Sequence, residues 1–435
     1  YCYPENPEAG IDLFLEKLVQ ETEKEHEDIL EQADETDAMF GELYSWYLRN
    51  PEYRSRVQKL VQSAFAGKPE DIISQSVAKA LYGEVSPYSA TRLERFAACA
   101  FAHFLQYGMK LTERVEYEFK PMDMGNVMHE ALESFAEEVR KRGMKWTELT
   151  EQERNEIADR CLDNIVADYG NTVLKSSARN EYMIERTRRI LRRTVWALQK
   201  QLEQGEFQPE GFEVTFGGGR IDRVDIMEDQ NKVYVKVIDY KTGNTSFDLV
   251  YLYHGLQLQL MIYLDGALRV EQKKYPDKEI IPAGVFYYNI KDPMIQEKID
   301  ADVEAVRAGL MKELKMNGLV QADPELVYRM DSSLGSIPVA FNKDGNFRKN
   351  SSVADRTQFA VLGRYVRTKI EKIRNSILEG DAEVSPYELG KKNACTYCPY
   401  MTVCGFDRRL SGYEFRRLKN FSDEELWKAF DREAE

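Results

Sequence analysis

Two acids and an amine stand close together in residues 219–243, GRIDRVDIMEDQNKVYVKVIDYKTG. Asp222 lies early in this stretch, and Asp239 and Lys241 close it. Residues 219–227 and 232–240 are rich in β-branched and apolar side chains, and the polar run EDQN separates them. That pattern predicts a β-hairpin. Side chains two apart on a strand share a face, so Asp239 and Lys241 meet one substrate phosphate while the hairpin brings Asp222 alongside. Paired carboxylates suit a hard divalent cation, which takes oxygen ligands from protein, phosphate and water. A neighbouring lysine orients water, deprotonates it when the amine is neutral, or as ammonium balances charge building on phosphorus. The outline is that of a site for hydrolysing phosphodiesters. Strand-end Asp and Lys commonly just face solvent, so the weight falls on what surrounds them.

Two further elements flank the hairpin. Residues 125–129 read GNVMH and place His129 on an expected helix; residues 259–263 read QLMIY and place Gln259 and Tyr263 on one face of another. In order, G-x-x-x-H, G-x-x-D, D-x-K and Q-x-x-x-Y resemble the RecB-like branch of the PD-(D/E)xK nucleases. The resemblance implies an α/β fold with a restriction-endonuclease-like core, a mixed central sheet flanked by helices, and additional helical regions. It implies Mg²⁺ (or Mn²⁺) held by His129, Asp222, Asp239 and the Tyr240 carbonyl. Lys241 would position water, and Gln259 and Tyr263 would hold the DNA backbone or the attacking water.

The cysteines form a second constellation. Cys395, Cys398 and Cys404 are spaced C-x2-C-x5-C, a pattern that suits zinc or an iron–sulfur cluster better than disulfides. A closed site wants four ligands; Cys99 is the natural fourth, because Cys161 sits between Asp159 and Asp163 in an expected helix with no comparable setting. Cys99 ends an S-x-x-x-L-E-x-F-x-x-C run that starts at Ser89. This combination resembles AddB-type subunits of the AddAB helicase–nuclease, across roughly residues 86–410. The family implies a [4Fe–4S] cluster on Cys99, Cys395, Cys398 and Cys404 that staples the domain's two ends, with a structural role. It also implies a Mg²⁺-dependent deoxyribonuclease acting on single-stranded DNA ends, on the 5′-ended strand, beside an AddA-type partner subunit in break repair. Two alternatives stay open: a Cas4-like exonuclease, and a DNA-end-binding module without chemistry.

The elements that must position these groups follow from pattern. Helices are expected over 90–108 (with Ser89 as N-cap), 124–142, 182–204, 248–270, 296–325 and 355–378, and strands over 208–218 and 280–290. Residues 331–350 read as loop. Residues 1–85 are expected to be a helical segment, a remnant of a helicase-like region or a linker, and residues 86–435 the nuclease domain. The chain starts at Tyr1 and is expected to be a soluble, cytoplasmic piece of something longer, with no membrane partner. Its net charge of −14 argues against nucleic acid only in bulk. Residues 1–38 hold thirteen acids and two lysines, which leaves −3 for the rest, and basic stretches recur at 186–200, 364–374 and 408–419. Such stretches track a phosphate backbone or are simply solvated helix faces.

Overall fold

The computed structural model describes residues 35–64, 72–83, 89–112, 121–168, 177–217, 219–295, 302–410 and 412–434. The acidic run up to residue 34, Cys2, His26 and residues 86–88 lie outside the described residues. In chain order the first helices are α1 (Glu35–Arg49), α2 (Pro51–Ala64), α3 (Gln75–Tyr82), α4 (Ala90–Ala98), α5 (Ala100–His103), α6 (Pro121–Lys141), α7 (Glu151–Asp168) and α8 (Ala178–Leu202). The sheet strands β1 (Gln208–Phe216), β2 (Gly219–Asp229) and β3 (Lys232–Lys241) follow, then helices α9 (Leu249–Tyr253) and α10 (Gln259–Lys274). Next come β4 (Glu279–Asn289), α11 (Val303–Glu313), β5 (Asn317–Gln321), α12 (Pro324–Met330), β6 (Val353–Ala354) and α13 (Arg356–Glu379). A small three-stranded sheet, the short α14 (Met401–Cys404) and α15 (Asp423–Ala434) complete the chain.

The six strands lie in sequence order. β1, β2 and β3 are antiparallel, β3 and β4 parallel through the α10 crossover, β4 and β5 antiparallel, and β5 and β6 parallel. Helices cover both faces, so the central strands bury side chains on each side, most of them apolar. On β3, Val233, Val235 and Val237 pack with α10, α13 and α15, while Tyr234, Ile238 and Tyr240 pack with α6, α7 and α8. The sheet thus separates two cores. The α/β architecture matches the expectation from sequence.

Three expected elements are revised. The helix over 90–108 breaks at Cys99, whose backbone is extended (φ −166°, ψ 118°), because Phe101 N–H bonds Glu383 O, far along the chain, at 2.9 Å. The helix over 248–270 breaks where Gly255 takes φ +79°, a left-handed turn that ends α9 and lets α10 restart at Gln259. The stretch 296–325 holds α11 and then a strand, β5, rather than helix throughout. Ser89 caps α4 as expected, its Oγ accepting from Arg92 N at 3.4 Å. α3, which precedes residue 86, buries Ala78 and Tyr82 in the same core as α4, whereas α1 and α2 close a small cluster of their own around Tyr47 and Val57. Among the described residues no helix is long and apolar enough to cross a membrane.

Candidate active site

Register does most of the positioning. β2 and β3 pair Arg223 with Ile238, so the next step along the hairpin sets Asp222 opposite Asp239. β1 and β2 pair Phe212 with Arg223 and Val214 with Ile221, so Glu213 falls opposite Asp222. One row across three neighbouring strands therefore carries three carboxylates. Glu213 has φ +49°, a left-handed conformation rare for a residue with a side chain and costing on the order of 1–3 kcal/mol. Strain of that kind persists where surroundings over-determine it, and functional sites are where it concentrates.

From α6, His129 reaches this row. Its Nδ1 lies 3.4 Å from Asp222 Oδ2 and 3.7 Å from Glu213 Oε1, and its Nε2 lies 3.1 Å from the Tyr240 carbonyl oxygen. Ligand atoms of His129, Glu213 and Asp222 all fall within 4.8 Å of one another. Tyr240 N–H donates to Asp222 Oδ2 at 2.7 Å and so fixes that carboxylate. On the other side, Lys241 Nζ stands 2.8 Å from Asp239 Oδ2 and donates to Gln259 Oε1 at 2.8 Å; Gln259 Nε2 donates to the Tyr263 hydroxyl at 2.9 Å. Gln259 and Tyr263 open α10, whose first amides, Leu258 N–H and Gln259 N–H, donate to Glu94 Oε1 at 2.7 and 3.0 Å. The cleft these residues line has a volume of about 760 Å³.

The electrostatics are acid-rich. Burial pushes Asp239 up to about 7, and the Asp222 charge adds to it; Lys241 and His129 offset only part. Burial opposes a charge on His129, but Asp222 and Glu213 reverse that and raise it to about 10. Burial lifts Glu94 to about 7 against its two backbone donors. Asp239 Oδ2 is buried and has no hydrogen bond, since the Lys241 ammonium is near enough to pair with it but poorly aligned. Three carboxylates, one of them with an unbonded buried oxygen, an imidazole and a peptide carbonyl make a donor set that fits a hard divalent cation.

Each site residue expected from the motifs lies at this cleft: His129, Asp222, Asp239, Tyr240, Lys241, Gln259 and Tyr263. Glu213 and Glu94 were not anticipated. The signal for Glu213 was a lone acid inside the apolar strand FEVTF; for Glu94 it was the L-E pair of the Cys99 helix.

The cysteines also converge. The break at Cys99 turns its thiol towards the C-terminal segment, where it packs with Cys398, Tyr400 and Ala394. Burial, followed by the charges of Cys99, Cys398 and Cys404, raises Cys395 to about 11, so all four sulfurs share one neighbourhood. Phe406 N–H points at Cys404 Sγ (3.5 Å), Asn393 Oδ1 accepts from Cys395 N–H (2.9 Å), and Tyr400 OH donates to Leu111 O (3.0 Å). Four thiols gathered in one place form an all-sulfur donor set, which fits a thiophilic centre. Cys161 is buried in α7, away from this group.

Residues 87–405 match the family model of the PD-(D/E)XK nuclease superfamily. The B-type component of the ATP-dependent helicase/deoxyribonuclease of Lachnoclostridium phytofermentans is 41% identical over 92% of this chain and 36% of that protein. Proteins of the same name from a Thermoanaerobacter species and from Alkaliphilus metalliredigens are each 34% identical, over 92% and 91% of this chain and 37% of theirs. The chain spans a little over a third of the length of these relatives.

Proposed function

Because the chain belongs to the PD-(D/E)XK nuclease superfamily, we propose that it hydrolyses phosphodiester bonds of single-stranded DNA at the acidic cleft. It would do so as the nuclease part of a helicase–nuclease subunit that works at broken ends beside an AddA-type partner. The observation that carries this reading is the row Glu213–Asp222–Asp239 facing Lys241, Gln259 and Tyr263 across one cleft.

His129, Asp222, Asp239 and the Tyr240 carbonyl are the residues that would hold Mg²⁺ or Mn²⁺, with Glu213 beside them. A cation bound there draws charge from the scissile phosphate and lowers the pKa of water. The protein's own groups do the rest. Lys241, braced between Asp239 and Gln259, offers its ammonium to the attacking water and to the charge that develops on the phosphate oxygens. The Tyr263 hydroxyl accepts from Gln259, which leaves its own proton for a phosphate oxygen of the strand. Water adds to phosphorus and gives up a proton, the bond to the leaving sugar oxygen breaks, and that oxygen takes up a proton in exchange, so no net proton is consumed in the step. Glu94 acts one step back as a positioning residue, by fixing the first turn of α10. Assignment of the 5′-ended strand to this chain follows the family resemblance.

For the cysteines we propose a [4Fe–4S] cluster on Cys99, Cys395, Cys398 and Cys404, closing a loop of about three hundred residues. Cross-links over long loops restrict the unfolded chain most. The nuclease domain is proposed to begin ahead of residue 86, since α3 shares the core of α4. The test is digestion of end-labelled single strands with Mg²⁺ or Mn²⁺, wild type against Asp222→Ala. Metal-dependent cutting lost in the variant supports the reading; full-rate cutting by the variant refutes it. Broad visible absorbance of anaerobically purified protein, absent after Cys398→Ala, tests the cluster against zinc.

A further inference from the structure

We propose that the single strand runs to the catalytic cleft along a basic track between α10 and α13, its phosphates held by Arg269, Lys273, Arg364 and Arg367. This deepens the nuclease reading and rests on it. One stripe of α10 connects the two places. Gln259 and Tyr263 line the catalytic cleft, and Gly266, Arg269 and Lys273, at three- and four-residue spacing, line a second cleft of about 550 Å³. At 1.5 Å per residue, Tyr263 to Lys273 covers about 15 Å. An adjoining cleft of about 340 Å³ shares Arg367 and continues over Arg364 and Arg356.

The junction with the active site is aromatic. Phe216 lies edge-on to Tyr263, ring centroids 5.9 Å apart at 83°. It can sit there only because Gly266 has no side chain: a Cβ at that position would meet the Phe216 ring at 2.6 Å. Half-buried against α10, Phe216 offers a base a stacking surface at the mouth of the cleft.

Charge identifies the occupant. Five cations line the two clefts (Arg269, Lys273, Arg356, Arg364 and Arg367) against one acid, Asp265. Arg269 and Arg367 share Asp265 at 2.7 and 2.9 Å, and Arg356 pairs with Glu279. Lys273 and Arg364 are exposed and enter no ion pair among the described residues. The arginine-rich cleft on α8 differs: Asp159 and Asp163 hold Arg188, and Asp292 holds both Arg189 and Arg193. In a chain of net charge −14, a basic line that keeps a surplus of three positive charges after Asp265 and Glu279 are counted, and that begins at an aromatic ring and an acidic cleft, fits a single-stranded polyanion with stackable bases, here DNA.

The test compares wild type with the double variant Lys273→Ala/Arg364→Ala. Binding of fluorescent single strands of about 12 and about 3 nucleotides is measured in EDTA across a salt series. The longer strand should lose about 10-fold in affinity, with the log–log salt slope shallower by about 1.4, at about 0.7 per phosphate contact. The short strand should bind, and be cut once metal is added, within about two-fold of wild type. Unchanged affinity and slope for the longer strand, equal losses at both lengths, or the same effect on an RNA strand with no effect on DNA would overturn the track. If wild type binds both lengths but cuts neither with Mg²⁺ or Mn²⁺, the nuclease reading falls, and the length dependence still judges the track by itself.

Discussion

The β2–β3 hairpin carries a buried aspartate beside a lysine in each of two charged clusters, with opposite outcomes. On the face towards α6–α8, Asp225 is completely buried between Arg223 (2.5 and 2.9 Å, bidentate) and Lys236 (3.0 Å), its partner across the strands. Trp146 and Phe212 flank the guanidinium at 5.7 and 5.6 Å. Burial alone would push Asp225 up; Arg223 and Lys236 more than reverse that and hold it below the usual carboxylate range. On the other face Asp239 is as deeply buried, but its neighbours are Asp222 and the His129–Glu213 group, and it is held above that range. One acid among two cations is satisfied. At the site Lys241 pairs with Asp239 and the exposed Arg220 with Glu213 (2.8 and 2.5 Å), yet burial and the Asp222 charge beside Asp239 still hold it above its usual range, and a divalent cation there would relieve it. Counter-charge, not burial, separates a structural cluster from a site.

The sharpest way to break this comparison is Asp239→Asn. Cleavage should fall on the order of 10⁴-fold, since the cation's charge accounts for several kcal/mol of the barrier. Metal-free stability should move the other way, up by about 1–2 kcal/mol. The sign follows from the raised value. A carboxyl whose folded pKa is about 7 favours the native state fully below its unfolded value and loses that contribution as pH rises through about 7. The gain from Asn should therefore be present above neutrality and shrink towards pH 4. Urea titrations in EDTA at several pH values measure it; a loss of stability at high pH would put Asp239 with the structural acids.

Asp225→Ala is the mirror experiment. Removing the acid leaves Arg223 and Lys236 as uncompensated buried charges, expected to cost about 3–5 kcal/mol. Restoring bulk without charge, as in Asp225→Asn, should recover only a part, because the unpaired cations remain. Equilibrium denaturation checks both, and an Asp225 variant as stable as wild type would dissolve the distinction between the faces.

How much of this was legible in the chain depends on whether the information was local. The hairpin, its Asp222, Asp239 and Lys241, and the His129 and Gln259–Tyr263 elements follow from strand and helix periodicity and from motif order. The Tyr240 carbonyl rested on resemblance alone, since a backbone ligand leaves no mark in the residue type. Glu213 needed the register between β1 and β2 and a left-handed backbone, neither of which a nine-residue strand announces. Glu94 acts on amides 164 and 165 positions away. The break at Cys99 is of the same kind: apolar periodicity runs on through residues 90–108, but Phe101 bonds Glu383. Long-range hydrogen bonds overrode local helix grammar at the points that aim functional groups.

Glu213 gives the finest test, because it asks whether the excess of acid is itself what binds the cation. Glu213→Gln keeps the shape and removes one charge, and Mg²⁺ affinity should fall about 10–100-fold, as for other groups that orient or support a metal ligand. Two effects oppose each other. The lost anion weakens the hold on a cation directly. It also weakens the hold on the His129 proton, which Glu213 helps to raise to about 10 and which must leave before the imidazole can bind metal. In wild type, cation binding near neutrality should thus displace a proton from His129, and below about pH 7 one from Asp239 as well, so affinity should rise with pH. In the variant His129 gives up its proton more readily, and the deficit should be smaller near pH 7 than near pH 9, where proton competition matters less. Calorimetry in buffers of different ionisation enthalpy reads affinity and proton release together. A pH-independent deficit would mean Glu213 acts on the metal alone, and no deficit would mean that two acids already suffice.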